Sequence, residues 1–138
     1  MGLFDFMTQD IAIDLGTANT LIIHNDKVVV DAPSIVAVDS MSRKVIAVGR
    51  TAQQMHGKAH EGIKTIRPLK DGVIADFNAS EHMIREMIKN IPALKNKFFA
   101  PSLRMVICIP SGITEVEKRA VRDSAEHAGA KEVYLIHE

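Results

Sequence analysis

Between two β-prone apolar runs lies the stretch Asp14-Leu15-Gly16-Thr17-Ala18-Asn19-Thr20, where the chain must turn. On its left, Ile11, Ala12 and Ile13 read as a buried strand that surfaces at a carboxylate. On its right, Thr20 to Ile23 resumes a β-prone run, so the chain reverses as a hairpin. Gly16 tolerates positive φ and lets an anion approach the backbone closely. Thr17, Ala18 and Asn19 offer backbone N–H groups and small side chains, and Asp14 is placed to face a metal ion through water. Two readings stay open on these residues alone. One is a phosphate-binding turn; the other is an ordinary hairpin in which Gly16 and Asn19 serve turn geometry and Asp14 closes a strand.

The remaining chain is long enough to support such a turn. Its 138 residues, 46% of them hydrophobic, suffice for one domain with a core. Seventeen basic residues balance seventeen acidic ones, which removes any global electrostatic case for nucleic acid as a partner. The single cysteine, Cys108, lies in the apolar run Met105 to Ile109 and reads as a buried thiol of a reducing compartment. The six histidines show no zinc-type spacing with it. No run approaches the roughly 20 apolar residues that span a bilayer, and the first residues lack a secretory signal pattern, so a cytoplasmic location is expected.

Met1 to Met7 forms an apolar tip through Leu3, Phe4, Phe6 and Met7. A myristoylation signal fails because Phe6 stands where a small hydroxyl residue is required. An interfacial membrane anchor and a terminus packed on its own domain both fit. Asn25-Asp26 signals a second turn before a strand from Lys27 to Asp31, giving a three-stranded meander. Pro33 punctuates the chain. Short strands at Ser34 to Asp39 and Lys44 to Val48 follow, then a helical and polar stretch from Gly49 to Gly62. Residues 33–71 read as a small inserted subdomain, with 1–32 and 72–138 forming the main body. The return runs through Pro68 and an Asp71-Gly72 turn.

Asn78 and Glu81 have capping-box spacing, and Met83, Ile84, Met87, Ile88 and Ile91 form one apolar helical face before Pro92. Phe98 and Phe99 stand adjacent in a basic loop with Lys95, Lys97 and Arg104. Anchoring of the loop in the core and insertion into a membrane surface are both consistent with that pattern. Met105 to Pro110 reads as a buried strand, Thr114 and Glu117 as a capping box, Gly129 as the end of that helix, and Lys131 to His137 as a last strand parallel to the previous one. Ligands of α/β sheets bind outside the carboxyl ends of strands, where Asp14 and Glu138 both fall. If those two strands are neighbours, the two carboxylates share a cleft suited to phosphoryl transfer to water. A frayed terminal residue without a role is the other reading of Glu138.

Five stretches fall in an order that resembles the actin superfamily, and within it the MreB family of bacterial cell-shape proteins. They are Ile13 to Thr20, Pro33-Ser34-Ile35-Val36-Ala37, Pro68 to Phe77, Ile109-Pro110-Ser111-Gly112, and His137-Glu138. The resemblance implies an α/β fold: the first half of an RNase H-like, actin-type ATPase domain, with a mixed sheet, flanking helices and the small insert. It implies ATP with Mg2+ as ligand. Gly16, Thr17, Ala18 and Asn19 would then contact phosphate, Asp14 would hold the hydrated magnesium, and Glu138 would polarise the attacking water. Phe98 and Phe99 match a membrane-insertion loop, and Leu3, Phe4 and Phe6 an amphipathic amino terminus. Implied partners are further copies of the chain in a filament, the inner face of the cell membrane, the cell-wall elongation machinery and membrane-bound shape proteins. A peripheral location on that membrane face follows.

The family's second phosphate loop and adenosine segment are expected after Glu138, so the chain is expected to be a fragment that supplies one wall of a nucleotide cleft. A sugar-kinase-like ATPase of the same superfamily and a nucleotide-incompetent interaction module are the competing readings. A Gly-rich second phosphate loop encoded downstream of Glu138 discriminates them. Because one wall cannot preorganise the ligand from both sides, calorimetry of residues 1–138 with Mg-ATP is expected to show binding weaker than micromolar; micromolar affinity would sink that expectation.

Overall fold

The computed structural model describes residues 8–56, 62–91, 102–109 and 113–137. The first strand, β1 (Thr8–Leu15), runs through the middle of the main sheet. It pairs antiparallel with β2 (Asn19–His24), which pairs antiparallel with β3 (Lys27–Pro33), so the expected meander forms. Asn25 and Asp26 both take positive φ, 52° and 62°, as a two-residue turn matched to strand twist requires. The small sheet comprises β4 (Val36–Asp39), β5 (Val45–Val48) and β6 (Ile63–Ile66), in the order β5-β4-β6, with helix α1 (Arg50–Met55) beside it. A two-residue turn at Asp71-Gly72 then joins β7 (Leu69–Lys70) to β8 (Val73–Ile74). Both turn residues again have positive φ, which explains a glycine at the second position.

Helix α2 (Phe77–Lys89) starts two residues earlier than its sequence signature indicates. Asp76, not Asn78, is the cap: its Oδ1 accepts from the Ala79 N–H at 3.0 Å. The Ala75 and Asp76 N–H groups donate to the Pro68 carbonyl, which holds Asp76 extended in the geometry a cap needs. Glu81, released from capping, is forked between Arg85 Nη2 at 2.6 Å and His127 Nδ1 at 3.1 Å. The second capping box forms as the sequence indicates. Thr114 and Glu117 bond reciprocally at the start of α3 (Glu115–His127), and Gly129 at φ 116° ends that helix.

The strand β9 (Ser102–Ile109) pairs in parallel with β1 on one side and with β10 (Ala130–His137) on the other, giving the order β10-β9-β1-β2-β3. Alternation along the strands puts Ile11, Ile13 and Leu15 of β1, Ile22 of β2, and Met105, Ile107 and Ile109 of β9 into one core. Met83, Ile84 and Met87 of α2 and Val121 and Ala125 of α3 fill the same core. The apolar stripe of α2 is thus packing, as its spacing indicates, and Ile91 beyond it is fully buried. Strand β4 is buried on both faces: Val36 and Val38 join this core, while Ile35 and Ala37 close a second one with Ala52. On the opposite face of the main sheet, Arg104 binds both carboxylate oxygens of Asp10, and this bond holds the Asp10 carboxyl below its ordinary range.

Met83 is fully buried where α2 meets the sheet. Met83→Ala is therefore expected to destabilise the fold by about 2–5 kcal/mol in urea unfolding; a loss below about 1 kcal/mol would show that α2 does not close this core.

Candidate functional site

Parallel pairing of β1, β9 and β10 brings their carboxyl ends to one edge, where β1 turns into β2. Asp14 is half-buried there, opposite Leu21 of β2 and Cys108 of β9, on the face away from Ile13 and Leu15. The condition that β1 and β10 be neighbours is not met. Cys108 pairs with both Asp14 and Ile136, so β9 lies between them and β10 runs two strand spacings, roughly 10 Å, from β1. Glu138, Leu3, Phe4, Phe6, Phe98 and Phe99 lie outside the described residues.

The turn itself is tighter than the sequence indicates, and for another reason. Gly16 does not adopt positive φ. Its N–H donates to the Asn19 carbonyl at 3.0 Å, and a Cβ at Gly16 would lie 2.4 Å from that oxygen. Glycine is required by close backbone approach rather than by left-handed conformation. The bond draws the two ends of the turn together and leaves Thr17 half-buried and Ala18 and Asn19 exposed. Thr17 reaches a distant part of the chain: its Oγ1 accepts from the Gly72 N–H at 2.9 Å. That bond ties the β1–β2 turn to the β7–β8 turn. Asn19 Nδ2 donates to Asp31 Oδ1 at 3.4 Å, a long contact from the turn to β3.

Two fully buried hydroxyls beneath the turn were not singled out by sequence reasoning. Ser34 Oγ donates to the Gly16 carbonyl at 2.7 Å and lies 2.8 Å from Thr20 Oγ1, and the Ser34 N–H donates to the Ala18 carbonyl at 2.8 Å. Their signal was available. Ser34 stands between Ala32-Pro33 and the apolar run Ile35 to Val38, and a hydroxyl buried in such surroundings must have a partner.

Small groups, backbone dipoles and one carboxylate at a strand edge fit a phosphate with a hydrated magnesium ion. The space a Cβ of Gly16 would fill is taken by the Asn19 carbonyl, which closes the turn tightly, and the Asp14 carboxylate is a hard oxygen donor of the kind that suits magnesium held through water. Among the described residues, no three His, Cys, Asp or Glu side chains cluster as metal ligands. A hollow of about 360 Å3 lies elsewhere, between β4–β6 and the start of α2, lined by Asp39, Arg43, Lys64, Asp76, Asn78 and His82 among others. Also among the described residues, no helix is long and apolar enough to cross a membrane.

Residues 8–138 match the family described as MreB/Mbl protein. The chain is 47% identical over 136 residues to the cell shape-determining protein MreB of Escherichia coli strain K12, covering 95% of this chain and 39% of that protein. It is 48% identical over 131 residues to the cell shape-determining protein Mbl of Bacillus subtilis strain 168, covering 94% of this chain and 38% of that one. The chain therefore spans about two fifths of the length of these curated relatives. Its structure is similar to that of MreB5 of Spiroplasma citri bound to ADP, with a TM-score of 0.80 and 34% identity over 94% of this chain and 38% of that one. The MamK double helical filament has a TM-score of 0.76 at 18% identity, covering 94% of this chain and 41% of that one, which shows a shared fold alone. The mixed sheet with flanking helices is the actin-like architecture of these proteins. With the match running through the sheet, its helices and the braced turn, the chain belongs to the MreB/Mbl family.

Proposed function

We propose that this chain supplies one wall of the ATP site in an actin-like protein that assembles into filaments and maintains rod cell shape by guiding cell-wall synthesis. The observation that carries this reading is the closed, glycine-dependent turn at the carboxyl edge of β1, in a chain of the MreB/Mbl family. A relative in that family holds ADP, and a second structure of the same protein holds AMPPNP. Thr17, Ala18 and Asn19 bind phosphate oxygens through backbone N–H groups, and Gly16, whose own N–H is taken by the Asn19 carbonyl, closes the turn that presents them. Asp14 orients the water shell of magnesium, which neutralises phosphate charge when bound. Glu138 follows β10, which β9 separates from β1, and polarises the attacking water from that side of the strand edge rather than from beside Asp14. Residues 33–71 form the small outer subdomain on the body made of 1–32 and 72–138.

The filament lies in the cytoplasm against the inner face of the cell membrane. Leu3, Phe4, Phe6, Phe98 and Phe99 enter the membrane interface, where aromatic and apolar side chains are accommodated beside lysines that meet anionic headgroups. Further copies of the chain, membrane-bound shape proteins and the cell-wall elongation machinery are its partners.

In the intact protein, Asp14→Asn is expected to weaken nucleotide binding about tenfold or more in the presence of Mg2+ and to leave magnesium-free binding within about threefold, as read by calorimetry. Equal losses with and without magnesium would remove the metal role of Asp14. Membrane engagement has its own test, filament pelleting with vesicles containing anionic lipid. Phe98→Ala with Phe99→Ala, combined with deletion of residues 1–7, is expected to abolish co-pelleting; unchanged pelleting would refute the membrane contacts assigned to these residues.

A further inference from the structure

We propose that Ser34 is a positioning residue for phosphate binding by the β1–β2 turn. The inference deepens the nucleotide reading above and rests on it. Hydrogen-bond accounting fixes every direction in the cluster. The Gly16 carbonyl can only accept, so the one hydroxyl proton of Ser34 goes to it, at 2.7 Å. Ser34 Oγ must then act as acceptor toward Thr20, whose hydroxyl donates to it across 2.8 Å. The chain of donors runs from Thr20 to Ser34 to the Gly16 carbonyl. Ser34 and Thr20 are both fully buried, so no water replaces either link without a cavity opening.

The consequence lies one bond further along. No described peptide is cis, and in a planar trans peptide the carbonyl and the following N–H point in opposite directions. Because Ser34 pulls the Gly16 carbonyl toward the buried side of the turn, the Thr17 N–H is aimed away from it. The Ser34 N–H does the same for the next carbonyl but one, that of Ala18, at 2.8 Å. A single residue brought in from the end of β3 thus fixes two of the three peptides that shape the turn. A donor held in advance binds an anion without the conformational entropy of ordering it afterwards.

Thr20 and Ser34 separate positioning from stability. Thr20→Val removes the hydroxyl that donates to Ser34 but leaves the Ser34 bond to Gly16 intact; Ser34→Ala frees the Gly16 carbonyl. In the intact protein, both variants are expected to lower the melting temperature, while Ser34→Ala weakens Mg-ATP binding about tenfold and Thr20→Val changes it by less than about twofold. In the nucleotide-free protein, the Thr17 amide resonance is expected to shift and exchange faster in Ser34→Ala than in Thr20→Val. Ser34→Cys, which keeps the volume and a weaker donor, should fall between wild type and Ser34→Ala and serves if the alanine variant does not fold. Equal affinity losses in Ser34→Ala and Thr20→Val, or wild-type affinity in Ser34→Cys, would overturn the proposal. A wild-type protein that fails to bind Mg-ATP would instead overturn the nucleotide reading, and the Thr17 amide would still report whether Ser34 sets that peptide.

Discussion

Everything in this molecule hangs on the parallel pairing of β1 with β9, two segments about 90 residues apart in the chain. That ladder places β1 in the middle of the sheet, with a local hairpin partner on one side and a distant parallel partner on the other. It also aligns the carboxyl ends of β1, β9 and β10, which creates an edge at which a ligand can be met. The apolar faces of these strands could not remain in water. Helices α2 and α3 cover them, and the core they share is what holds the distant pairing in register.

On that frame the β1–β2 turn is rigid for reasons that reach well beyond it. Gly16 closes on Asn19, Thr17 accepts a bond from Gly72 in the β7–β8 turn, and Ser34 braces the underside from the end of β3. Each brace comes from a different stretch of sequence. The turn is therefore coupled both to the main sheet and to the connection returning from the small sheet. Strand β4 strengthens that coupling, since its two faces are buried in two different cores. A displacement of the small sheet relative to the body must be accommodated around this strand.

Local features of the fold were legible because their causes are local. The Asn25-Asp26 and Asp71-Gly72 turns require positive φ at both positions, and few residue pairs tolerate it. The Thr114/Glu117 capping box is a contact between residues three apart, so spacing reveals it. The Asn78/Glu81 spacing misled for a physical reason. Asp76 is held extended by the Pro68 carbonyl, a partner eight residues away, and takes the cap before Asn78 can. Strand adjacency misled likewise, because the sequence places Asp14 and the end of β10 on the same edge without ordering the strands between them.

The sequence by itself determined the strands of the main sheet, the apolar faces, the turns and the small, polar character of the Asp14–Asn19 stretch, since periodicity and backbone propensity act over a few residues, while the short strands β6, β7 and β8 emerge only in the fold. The motif order also identified the family to which the chain belongs. Only the tertiary structure decided that β9 separates β1 from β10, that Gly16 is needed for close approach rather than positive φ, and that a buried serine just after β3 holds the turn from below. Those facts depend on which hydrogen-bonding groups meet across the fold, and a buried donor's partner is chosen by packing, not by its neighbours along the chain.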